Sequence, residues 1–165
     1  RLYNSLRLRR YTAPGELPEL IDWLCREHVQ VERWLPKVQP DEHGNADLRI
    51  VTIAGQARHL VVRQSRTPLT NLHLGNRRGD APRLLAALGP ERVQSLEETC
   101  RATMRVFPAS LYAGVDLLVE PGLDRHAVLE VNAFGDLLPG IEWQGMDTYA
   151  SEIAAVLARE AVRGA

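Results

Sequence analysis

Two short apolar runs divided by a turn constrain this chain more than any other feature. They are Gly114-Val115-Asp116-Leu117-Leu118-Val119-Glu120 and Ala127-Val128-Leu129-Glu130-Val131-Asn132. Runs of this kind on either side of Pro121 to Arg125 predict an antiparallel hairpin. With a turn of those five residues, Glu120 faces His126 and Asp116 stands opposite Glu130. The two-residue period of a strand puts Asn132 on the same face as Glu130. Carboxylates directly opposite one another destabilise a hairpin. Among Val and Leu neighbours they also carry a desolvation cost. A divalent cation would remove the conflict, because magnesium prefers hard oxygen ligands and commonly takes one or two carboxylates. Pairing to arginines would remove it too, and the spacing leaves both solutions open.

A second hairpin raises the same question with opposite sign. Asp47 to Ala54 and Ala57 to Gln64 are β-rich runs around Gly55-Gln56. If the turn is Gly55 to Ala57, Arg49 faces Arg63, which is unfavourable unless an anion lies between them. Guanidinium forks suit phosphate or acyl-phosphate oxygens. A two-residue turn would place the two arginines on opposite faces, and they would then be separate surface charges.

The remaining pattern alternates strands with helices. After Pro14-Gly15, the positions Leu17, Leu20, Ile21, Leu24 and Cys25 make one helical face. Val29 to Leu35 reads as a strand and Pro36 to Asn45 as a loop. Thr67 to Asp80 is mostly loop, with an extended piece at Leu69 to Leu74. Val93, Leu96, Cys100, Met104 and Phe107 form a strong helical face, with Pro90 suited to the first turn. Ala133 to Gly145 is a glycine-punctuated loop. A last helix spans about Asp147 to Arg163, with Tyr149, Ile153, Val156, Leu157 and Ala161 apolar. The fold class expected is α+β: an antiparallel sheet with packed helices.

Composition excludes several functions. A net charge of −1 gives no footprint for nucleic acid or an acidic membrane. No apolar run approaches the roughly 18 residues of a membrane span. Cys25 and Cys100 both lie on apolar stripes and read as buried thiols, which fits a cytoplasmic location. No histidine pair has zinc-ligand spacing, and no phosphate loop, GxGxxG or nucleophile elbow is present. The RGD tripeptide at Arg78 to Asp80 reads as chance. The first residue is Arg rather than Met, as expected of a piece of a longer chain.

Taken together, Asp47-Leu48-Arg49, Thr70-Asn71-Leu72-His73-Leu74-Gly75, Gly114-Val115-Asp116 and Leu129-Glu130-Val131-Asn132-Ala133 resemble the ATP-grasp superfamily. The likeness is to its glutathione-synthetase and RimK-type (ribosomal-protein S6-modifying) carboxylate–amine ligases, from near Val31 to the last helix. The resemblance implies a C-terminal ATP-grasp subdomain over 29–165, preceded in 1–28 by a remnant of the small lobe. It implies ATP and magnesium, or manganese in its place, as cofactors, with Asp116, Glu130 and Asn132 as metal ligands. Glu32, Arg33, Trp34 and Leu35 would meet the adenine, and Asp47 the ribose. Thr70 and Asn71 would lie near the phosphates. Arg49 and Arg63 would steady the γ-phosphate and then an acyl phosphate, which an amine attacks. The implied substrates are a carboxylate and an amine acceptor, and a homo-oligomer is left open. The chain departs from the family in two ways. Lys37 is its only lysine, so the small lobe's phosphate-binding lysines are missing. Ala133 to Gly140 also replaces a shorter Ser-Pro-Gly-type loop. A non-catalytic binding or scaffolding domain on the same fold is the alternative, and phosphotransfer to a small molecule a third reading.

Overall fold

The computed structural model describes residues 8–26, 28–29, 31–70, 76–133 and 138–164. The chain divides into two compact units, Arg1–Leu35 and Pro36–Ala165. The first contains helix α1, Glu16–Cys25, which has no buried residue. Cys25 is exposed, contrary to the buried thiol its stripe suggests. The expected strand at Val29 to Leu35 has no regular secondary structure at its described residues.

The second unit is built on a five-stranded antiparallel sheet. Its strands are β1 (Asn45–Ile53), β2 (Gln56–Ser65), β3 (Arg77–Arg78), β4 (Tyr112–Val119) and β5 (His126–Asn132), in the order β3-β2-β1-β4-β5. Helices α2 (Ala81–Val106) and α3 (Thr148–Arg163) complete it. This is the α+β class expected from the alternation of strands and helices.

The strand period divides the sheet into two faces. On one, Ala46, Leu48, Ile50, Val62, Val115, Leu117 and Val119 pack against Leu84, Leu88, Leu96 and Cys100 of α2. α2 starts at Ala81, nine residues before Pro90, and breaks at Gly89, whose φ of 75° ends the first helical segment. Pro90 then opens the second, where its missing N–H costs nothing. The helix stops before Phe107, which is half exposed rather than core.

The RGD tripeptide has a local structural role. Arg78 pairs with Arg63 across β3 and β2. A Cβ on Gly79 would lie 2.8 Å from Val62 Cγ1, so only glycine fits against the sheet there. Asp80 caps α2 by accepting a hydrogen bond from the Arg83 amide at 2.9 Å.

Both hairpins reach their registers through bulges. The β1–β2 turn is Ala54-Gly55, with φ of 50° and 76°, and Ile53 pairs with Gln56. That conformation suits a two-residue hairpin turn, and corrects the turn expected at Gly55. An irregularity at Arg58 then moves the register, so that Val51 pairs with His59 and Arg49 with Val61. The extra residue restores the parity, and Arg49 and Arg63 share a face after all, as diagonal neighbours. In the second hairpin Val119, not Glu120, pairs with His126. A bulge at Leu129 returns Glu130 to a position opposite Asp116.

Two predictions follow from this core. Leu117 is fully buried beneath α2, so Leu117→Ala should destabilise the fold by about 2–5 kcal/mol in urea titration. Burial pushes the Cys100 thiol up to about 11, whereas Cys25 is exposed. A thiol reagent at pH 8 should therefore label one cysteine rapidly and Cys100 only on unfolding.

Candidate functional site

The sheet face opposite α2 is divided along the strands. At one end Val51, Ile53 and Val61 pack with Leu138 and with Ala155 of α3. At the other, the same alternation presents Asp47, Arg49, Arg63 and Asp116. One row across the sheet runs Val61, Arg49, Asp116, Glu130, from β2 through β1 and β4 to β5. The adjacent row brings Asn132 opposite Gly114. The absence of a side chain at Gly114 leaves room beside Arg49 and Asn132, which would lie 3.9 Å from a Cβ there.

Asp116 is the centre of this face and is only 2% exposed. Arg49 donates to it through both edges of its fork, Nε to Oδ1 at 2.7 Å and Nη2 to Oδ2 at 2.8 Å. Arg63 Nη1 lies 3.1 Å from the same Oδ2. Arg63 also donates from Nε to Asp47 Oδ1 at 2.8 Å. The other Asp47 oxygen accepts from Lys37 Nζ at 3.0 Å and from the Thr70 hydroxyl. Lys37 in turn donates to Thr70 Oγ1 at 2.5 Å. Three cations (Lys37, Arg63, Arg49) thus alternate with two buried carboxylates, Asp47 and Asp116. Burying ions costs several kcal/mol each unless partners compensate, and here each buried charge touches one of opposite sign.

Asn132 closes the row. With its amide oxygen towards Arg49, it accepts from Nη2 at 3.1 Å and donates to Glu130 Oε1 at 3.0 Å. The reverse orientation would set donor against donor.

The expected residues come together in part. Arg49, Arg63, Asp47, Thr70, Asp116, Glu130 and Asn132 belong to one face or one hydrogen-bonded network. Asp47 is buried and takes three bonds, so a ribose could reach it only by displacing Lys37 or Thr70. Glu130 is exposed rather than partly buried. Glu32, Arg33, Trp34 and Leu35 belong to the first unit, and Trp34 is 62% exposed. Asn71 and His73 lie outside the described residues. His59 shares the face but sits towards α3, its Nε2 2.9 Å from the Met146 carbonyl oxygen.

Lys37 is the residue sequence reasoning passed over. Its one visible signal was its singularity, as the only lysine in an arginine-rich chain. Its place is set by the backbone beside it: Val38 donates to the Val119 carbonyl and accepts from the Ala46 amide, both at 2.8 Å. A separate trio, Asp41, Glu42 and His43, brings three potential ligand atoms within 4.8 Å of one another. Asp41 is already bonded there to Gln64 and to the His43 amide.

Donor chemistry suits magnesium in kind, since two carboxylates and an amide oxygen meet on adjacent rows. The position of a counter-cation beside Asp116 is held by Arg49 and Arg63, so an incoming cation must exchange with a guanidinium. The chain matches no protein-family model and no curated protein.

Removing one member of a buried ion network leaves its partners uncompensated. Asp116→Asn should therefore cost about 3–5 kcal/mol in chemical denaturation. Glu130→Gln, on the exposed edge, should change stability by less than about 1 kcal/mol.

Proposed function

We propose that this chain supplies the Mg-ATP site of an ATP-dependent carboxylate–amine ligase of the ATP-grasp kind. The observation that carries the reading is the Arg49–Asp116–Glu130 row with Asn132 and Arg63 beside it. It gathers anion-binding forks and hard oxygen donors on one patch of rigid sheet. A site on strands holds its groups more closely than one on loops.

In this reading Asp116, Glu130 and Asn132 hold the magnesium, which would offset phosphate charge when bound. Arg49 and Arg63 turn their forks from Asp116 to phosphoryl oxygens, where planar bidentate donors are well matched. The carboxylate oxygen of one substrate attacks the γ-phosphorus, and ADP leaves. The amine of the second attacks the acyl carbon, and inorganic phosphate leaves with formation of the amide. The protein makes no covalent bond, and its work is positioning and charge stabilisation. Lys37 and Thr70 act at one remove, by fixing Asp47 and through it Arg63.

A second reading rests on the same network. Asp116 is already neutralised by two guanidiniums, which suits a domain that keeps the fold as a binding or scaffolding module. The two readings separate on the intact protein. The ligase reading expects ADP release that requires magnesium, a carboxylate and an amine. Arg63→Met should lower it about 10²–10³-fold, as for loss of a preorganised donor. It also expects manganese with ATP to give a bound-ion resonance signal that Asp116→Asn abolishes. Absence of both ADP release and bound manganese would favour the scaffold.

A further inference from the structure

The large apolar residues of α3 do not face the sheet. Ser151 and Ala155 make that contact and are buried. On the opposite side Tyr149, Ile153, Val156 and Leu157 are 62, 62, 40 and 61% exposed. They recur at helical spacing and form one continuous stripe. Proteins rarely leave such a stripe in water unless a partner covers it.

The charges beside the stripe indicate which partner. Glu152 and Arg159 are two turns apart and therefore flank it on the same side. Glu152 is half-buried, with its Oε1 covered by the chain itself, and burial raises its carboxyl above the ordinary value. Arg159 is exposed and makes no ion pair among the described residues. In an antiparallel helix pair, one flank of each helix meets the same flank of the other. Glu152 of one copy then meets Arg159 of the second, and the two-fold axis repeats the contact. That register puts the two-fold axis between Ala155 and Val156, and brings Ile153 within one residue of the level of Leu157 and Val156 within one residue of its own counterpart. Glu160, the charged residue within the stripe, falls opposite Tyr149, whose hydroxyl can donate to it.

We propose that α3 is an isologous dimer interface, its outward stripe packing antiparallel on α3 of a second copy of this chain. A residue i that meets j while j meets i is the signature of two-fold pairing. The inference is independent of the nucleotide site. A single helix pair is small for a specific interface, under about 1,200 Å² in total, so the association is concentration-dependent.

Sedimentation of the 165-residue chain at rising concentration tests this. The mass should rise from 18.5 kDa towards about twice that value. Leu157→Glu, at an exposed position, should remain monomeric with an unchanged circular-dichroism spectrum. Glu152→Arg and Arg159→Glu should each weaken association at least about tenfold, roughly 1.4 kcal/mol. The double variant carries the swapped pair in both copies and should recover most of the loss. In a Cys25→Ser background, Val156→Cys should form a disulfide-linked dimer on oxidation. A wild-type chain that stays monomeric to high concentration overturns the proposal. So does a dimer that Leu157→Glu leaves intact, or a charge swap that restores nothing.

Discussion

The carboxylate of Asp116, held between Arg49 and Arg63, is the interaction on which this sheet depends. Three strands contribute to it: β4 the acid, β1 and β2 the bases. It lies on interior strands, where an unpaired charge would be costly. Pairing therefore does two things at once. It permits a polar patch within a largely buried sheet, and it penalises registers that would separate the three residues. A one-residue slip of any of these strands would turn its charge into the apolar face under α2.

The two bulges are best understood through that constraint. The Ala54-Gly55 turn alone would send Arg63 to the α2 face, and the extra residue at Arg58 prevents it. The extra residue at Leu129 likewise brings Glu130 back opposite Asp116. A bulge re-aims every side chain beyond it, so both irregularities serve the same patch. Lys37 and Thr70 extend the patch through Asp47, which ties the segment before β1 and the loop after β2 to the sheet. The patch is thus both a fold determinant and the candidate site. That dual role is why stability and ligand binding must be measured separately in variants of Asp116.

Much of this was legible along the chain. The strand runs, the hairpin pairing of Asp116 with Glu130 and the face of the Leu96–Cys100–Met104 helix follow from periodicity, because strands repeat every two residues and helices every 3.6. The sharing of a face by Arg49 and Arg63 was conditional on turn length. Turn length alone misled, because a bulge changes parity without leaving a sequence mark as clear as glycine or proline. Val29 to Leu35 has β-rich residues but no regular secondary structure at its described residues, and strand propensity without a partner ladder forms no strand. The α3 stripe shows the same limit: periodicity defines a face but not what it packs against.

By itself, the sequence determined the class of fold, the hairpin of acids and the presence of enough arginine to neutralise buried carboxylates. It also supplied the resemblance from which the ligase proposal starts. Only the tertiary structure decided which charges meet. It assigned two guanidiniums to Asp116, drew the single lysine onto Asp47 and left Glu130 on an exposed edge. It also turned the apolar side of α3 outward. The physical reason is that local sequence sets each strand's alternation, whereas the partner of a side chain is chosen by long-range pairing, bulges and burial acting together.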